Sequence, residues 1–119
     1  VRGITPERWS ALLDDLSWQN MGRVAALEID DPGIGAQAQV TNRPFRGATY
    51  DRHDSRVDLM FGSADDVRDH LTHTIGQVSA IDVLQDVDGA DVALCIRHGR
   101  GQTILKFPTR VDASATRLK

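Results

Sequence analysis

Apolar residues recur at helical spacing near the start of the chain and at strand spacing almost everywhere after it. Trp9, Leu12, Leu13 and Leu16 stand three and four residues apart, which lines them along one side of an α-helix. A Thr5 hydroxyl free to accept from an orphan amide, followed by Pro6 with its pre-set φ, marks the entry. The pattern predicts a helix from about Pro6 to Ser17, with Glu7, Arg8, Asp14 and Asp15 mostly on the wet side. Asn20 and Gly22, which both tolerate the left-handed conformation, are its expected terminators.

From Ala25 onward the apolar period drops to two, the signature of half-buried strands. Ala25, Leu27 and Ile29 alternate first, the turn Asp31-Pro-Gly33 follows, and then Ala36, Ala38 and Val40 alternate. The polar loop Asp51–Ser55 leads into Val57, Leu59 and Phe61. Ser63 lies three residues before Asp66, the spacing of a capping box, and predicts a short helix over Gly62–Leu71. Ile81 and Val83 open another strand, Asp86–Gly89 turns the chain, and Val92, Leu94 and Ile96 continue it. The turn Gly99-Arg100-Gly101 joins that strand to a last one over Thr103–Phe107. Thr109–Lys119 carries no period and is expected to fray.

One helix followed by about six short strands predicts an α+β fold: an N-terminal amphipathic helix packed on a strongly bent, mostly antiparallel sheet or small barrel. Burying the four large residues of the stripe contributes roughly 1.5 to 3 kcal/mol each, comparable in sum with the net stability of a whole domain. The helix is therefore expected to be integral to the fold. At 119 residues the chain has room for a single domain, read here as residues 1–108, with 109–119 as a tail.

Charge narrows the partners. Fourteen Lys and Arg against seventeen Asp and Glu give a net charge of −3, which supplies no long-range attraction for a phosphate backbone. The basic residues are scattered and no aromatics interleave with them, so no nucleic-acid partner is expected. No apolar run reaches the length of about 18 residues needed to cross a bilayer, and no membrane partner is expected. The lone Cys95 sits in the apolar run Val92–Ile96, where a thiol behaves as a small core residue. A reduced, cytoplasmic setting is expected.

Candidate chemistry is sparse. His70 and His73 in Asp69-His-Leu-Thr-His73 are the nearest approach to a metal pair, since imidazoles three apart on a helix converge. A third ligand is required, from Asp65, Asp66 or Asp69, and no second cysteine or paired-histidine motif is present. Polar residues at a helix end are the expected outcome, with no metal site and no cofactor. In His98-Gly-Arg-Gly-Gln102, successive amides and Arg100 have the makings of an anion-binding turn. Two glycines about a polar tip are also what a tight hairpin demands, and that reading is preferred. There is no phosphate-loop lysine, no dinucleotide-binding glycine pattern and no nucleophile elbow. Paired aspartates such as Asp14-Asp15 and Asp65-Asp66 point away from one another on regular elements. Catalysis has no support in these patterns.

The order Thr5-Pro-Glu-Arg-Trp9, Gly35-Ala-Gln37, Pro44-Phe-Arg-Gly47, His70-Leu-Thr-His-Thr-Ile75 and Gly101-Gln-Thr-Ile-Leu-Lys-Phe107 resembles a bacterial uncharacterised family, domain of unknown function 5335. The likeness runs from Thr5 to Phe107, and His70–Ile75 is its most specific element. It implies a shared fold and leaves function open. The expected role is a non-enzymatic protein-interaction or regulatory module presenting a sheet face or edge, with a two-fold homodimer as the simplest assembly. The alternative is a small-ligand or metal-binding domain using His70, His73, His98 and Arg100.

Overall fold

A computed structural model describes residues 4–33, 35–63, 65 and 67–108. A 3-10 turn, Pro6–Arg8, leads directly into helix α1, Trp9–Asn20. Among the described residues seven strands follow: β1 (Val24–Asp31), β2 (Gly35–Asp51), β3 (Arg56–Phe61), β4 (Leu71–Ile75), β5 (Val78–Gln85), β6 (Asp91–His98) and β7 (Gly101–Lys106). They form one sheet in the order β4-β3-β2-β1-β7-β6-β5, with every neighbouring pair antiparallel. The α+β class, with the N-terminal helix on an antiparallel sheet, is as the sequence predicts. The sheet does not close into a barrel; β4 and β5 are its two edges.

The bend comes from β2. Its first half pairs with β1, from Asp31↔Gly35 to Val24↔Pro44, and its second half pairs with β3, from Phe45↔Phe61 to Asp51↔Arg56. Asn42 sits at φ 51 just before the changeover, a conformation asparagine accepts more readily than most residues. The register with β3 slips between Phe45 and Gly47, and such a bulge sharpens a strand's twist. The sheet curls far enough for the Val78 amide, at the start of edge β5, to donate to the Ser55 carbonyl of the β2–β3 turn at 3.0 Å.

Alternation turns Leu27, Val57, Leu59, Phe61, Ile81, Leu94, Ile96 and Leu105 into the curl, all essentially without solvent contact. Helix α1 fills the remaining opening with Trp9, Leu13 and Leu16, while Leu12 is only half-buried. It runs along β2. The Trp9 ring meets Tyr50 edge-on at 5.1 Å, the Ala48 amide donates to Ser17 Oγ at 2.8 Å, and the Gly22 amide donates to the Phe45 carbonyl at 2.7 Å.

Several local expectations are corrected. Thr5 makes no side-chain cap; its carbonyl instead accepts from the Arg8 amide at 2.9 Å. The helix runs to Asn20, because Asn20 continues the buried 9, 13, 16 series. The helix expected over Gly62–Leu71 is reduced to a single turn, Val67–Asp69, and the chain then enters strand β4. Ser63 Oγ accepts from the Asp65 amide at 3.2 Å, and Asp66, the other half of the expected capping box, lies outside the described residues. β4 escapes periodicity because, as an edge strand, it buries Ile75 alone. Ala36 and Ala38 lie in an exposed arm of the β1–β2 hairpin. Cys95 is not a core residue: with Leu94 and Ile96 inward, its side chain falls on the outer face, half-buried. The tail expected over 109–119 lies outside the described residues.

Candidate functional site

The four residues singled out in the sequence do not converge as a group. His73 stands on β4 opposite Leu59, sharing the inward face with Ile75. His98 ends β6, and its Nε2 lies 2.7 Å from Oγ1 of the fully buried Thr103. These two imidazoles, twenty-five residues apart in the chain, are brought into electrostatic range by the curl of the sheet. Burial lowers the pKa of His73, and the neighbouring His98 lowers it further. Burial also lowers that of His98, against an opposing pull from the Asp31 carboxylate.

His70 and Arg100 stand apart from this pair. His70 is exposed, with Nε2 3.0 Å from the Ser63 carbonyl, and the convergence of His70 with His73 expected of a helix is lost once the segment is extended. Arg100 is exposed at the tip of the β6–β7 turn. That turn is a hairpin, and its two glycines do different jobs. Gly99 takes φ +52, whereas a Cβ on Gly101 would lie 2.5 Å from the Asp30 carbonyl of β1. No group of three or more His, Cys, Asp or Glu among the described residues is arranged to hold a metal ion.

At the other end of the curl lies a polar clasp that the sequence did not announce. Asn20, 3% exposed, donates from Nδ2 to the Leu16 carbonyl at 2.9 Å and to Asp91 Oδ2 at 2.7 Å. Arg23 Nη1 donates to Asn20 Oδ1 and to the Asp91 carbonyl, both at 2.8 Å. Gln85 donates to the other carboxylate oxygen at 2.9 Å, and the Arg23 guanidinium lies 5.0 Å from the centre of the Phe107 ring. A buried carboxylate is thereby held by two amides, and the end of α1 is tied to the β5–β6 hairpin. The only sequence signal was Asn20 falling in step with the apolar stripe.

Beside the clasp, a cleft of about 310 Å³ opens between α1 and the β5–β6 hairpin. Leu12, Leu16 and Val83 give it an apolar floor, and Asp15, Gln19, Gln85 and Asp91 line its polar sides. Beyond the cleft lining, large apolar side chains stand in solvent: Trp18 is 82% and Met21 58% exposed on the outer side and at the end of α1, and Val87 100% at the tip of the β5–β6 hairpin.

The residue patterns that suggested a family now have places in this fold: the entry to α1, the start and bend of β2, the whole of β4, and β7. A family model described as a family of unknown function, DUF5335, matches residues 1–116 of the chain. The chain belongs to the DUF5335 family. Comparison with curated proteins found no match, and comparison with solved structures found none either. In this DUF5335 chain the quoted patterns build the curl and its edge, and Trp18, Val87 and Asp91 fall between those patterns, within the matched residues. Among its described residues no helix is long and apolar enough to cross a membrane.

Proposed function

We propose that this chain is a protein-interaction module whose contact surface is the cleft end, formed by the outer side of α1 and the β5–β6 hairpin. The observation that carries the reading is Trp18, a large aromatic side chain left 82% exposed on a helix whose other aromatic, Trp9, is buried. Exposed tryptophan costs solubility and supplies much of the energy at interfaces, where it acts as an anchor surrounded by weaker contacts. A reducing, cytoplasmic setting suits the reading, since the single cysteine then remains a free thiol.

A photo-crosslinking residue placed at position 18 in the source cell tests this. Specific adducts are expected there, and none from the same residue at position 37 on the exposed β1–β2 arm. Absence of adducts at position 18, or equal yields at both positions, would refute the reading. A second reading, small-ligand binding, draws on one observation, His73 lying within electrostatic range of His98, whose Nε2 is 2.7 Å from Thr103 Oγ1 at the opposite end of the curl.

A further inference from the structure

We infer that the partner seated on the cleft is a basic amphipathic protein segment: one that lays aliphatic side chains on the cleft floor and presents lysine or arginine to both walls. The inference rests on the interaction reading above and adds the chemistry of the partner.

The charge distribution carries it. The helix wall, Trp9–Asn20, and the hairpin wall, Val83–Val92, contain Asp14, Asp15, Asp86, Asp88 and Asp91 and not one Lys or Arg. Elsewhere among the described residues ten acidic groups are balanced by ten basic ones, so the net negative charge of the described fold lies on these two segments, with Asp15 and Asp91 lining the cleft itself. The last carbonyls of α1 point their negative dipole end toward the same region. Arg23, the cation beneath the cleft, is engaged with Asn20, the Asp91 carbonyl and the Phe107 ring.

The apolar groups are interleaved with these charges. Asp14 and Asp15 are four and three residues before Trp18, and Met21 is three after it, so all are neighbours on the helix surface. Across the cleft, Val87 stands between Asp86 and Asp88 on the turn. Apolar contacts bordered by one sign of charge suit a partner with the same alternation and the opposite sign, which gains from burial at the centre and from screened attraction at the rim. An acidic partner, or a basic one without aliphatic anchors, loses one of the two contributions.

The test is a titration of isotopically labelled protein with two short helical peptides. One has leucines at i, i+3, i+4 and i+7 and lysine elsewhere; the other has the same leucines with glutamate in place of lysine. Saturable binding of the lysine peptide is expected, with amide shifts confined to α1 and residues 83–92. The double variant Asp15→Asn, Asp88→Asn should weaken binding roughly tenfold, as should Trp18→Ser. These positions are exposed and outside the clasp, whereas Asp86 accepts the Asp88 and Ala90 amides that form the turn and is left intact. Equal affinity for the glutamate peptide, shifts elsewhere in the molecule, or indifference to the charge variant would overturn the inference. So would sedimentation showing a homodimer that dissociates in Trp18→Ser, because the occupant is then a second copy. If crosslinks form from position 18 in cells while the lysine peptide fails, the partner chemistry is wrong and the interaction surface stands; if no crosslinks form there, the surface itself is wrong.

Discussion

Replacing Asn20 probes the clasp most directly. In Asn20→Ala the amide donor to Asp91 Oδ2 and the acceptor for Arg23 disappear together. Hydrogen bonds involving a charged partner contribute about 1.5 to 3 kcal/mol each. Arg23 Nη1 keeps its bond to the Asp91 carbonyl at 2.8 Å, which places its loss at the low end. Alanine is also the better helix former by up to roughly 0.7 kcal/mol, and water entering from the cleft can reach the exposed carboxylate oxygen. The expected net loss is about 2 to 4 kcal/mol, a large part of the roughly 5 to 15 kcal/mol that holds an ordinary domain together. Asn20→Leu should cost at least as much although it preserves volume, because leucine keeps water out and leaves the Asp91 oxygen facing hydrocarbon. Urea unfolding followed by circular dichroism gives both values, and a cycle with Asp91→Ala should return a coupling of at least about 1 kcal/mol. A loss below about 1 kcal/mol in both single variants, at unchanged denaturant slope, would refute the view that this carboxylate depends on Asn20.

Leu13→Ala removes a side chain with no solvent exposure and should cost about 2 to 5 kcal/mol in the same assay. Gly101→Ala should lower the urea midpoint through a backbone clash, since its Cβ would lie 2.5 Å from the Asp30 carbonyl, whereas Trp18→Ser should leave stability within about 0.5 kcal/mol. Because burial lowers the pKa of both His73 and His98, the unfolded chain binds more protons as pH falls through about 6.5, the ordinary histidine value. Their contribution is therefore fully present above that value and is lost as pH falls toward the depressed folded-state values. The urea midpoint should drop between neutral pH and pH of about 5, and the slope should flatten in a His73→Gln, His98→Gln double variant.

The helix and most strands were legible because one face of each is buried and the other wet: Leu13 and Leu16, or Val57, Leu59 and Phe61, announce their period directly. Edge strand β4 gave no such signal, since Leu71, Thr72 and Thr74 are exposed. Its β-branched Thr72, Thr74 and Ile75 were the available clue, outweighed by the apparent capping box before it. The second half of β2 was hidden by Asn42-Arg43-Pro44, residues that read as an interruption and in fact mark the bend. Where the candidate sites were concerned, sequence spacing misled. His70 and His73 are three residues apart in the chain and diverge once the segment is extended, while His73 and His98 come within electrostatic range only through the curl. Asp91 is held by hydrogen bonds across the cleft end and Trp18 stands in solvent, and no local pattern distinguishes an exposed tryptophan or a buried aspartate from the ordinary kind.

The place of β1 at the centre of the sheet bears on how the chain can be made. β2 follows it at once and covers one side, but the other side pairs with β7, joining Ala26 to Lys106 and Asp30 to Gln102. During synthesis β1 therefore spends most of the chain's elongation with one row of amides and carbonyls open, beside an apolar face that includes Leu27. Pairings this distant in sequence form slowly, and an unpaired edge of that kind recruits other strands. Nascent fragments that stop short of Gly101 are expected to aggregate, so the interval between the emergence of β2 and that of β7 is when this protein is most in need of a chaperone.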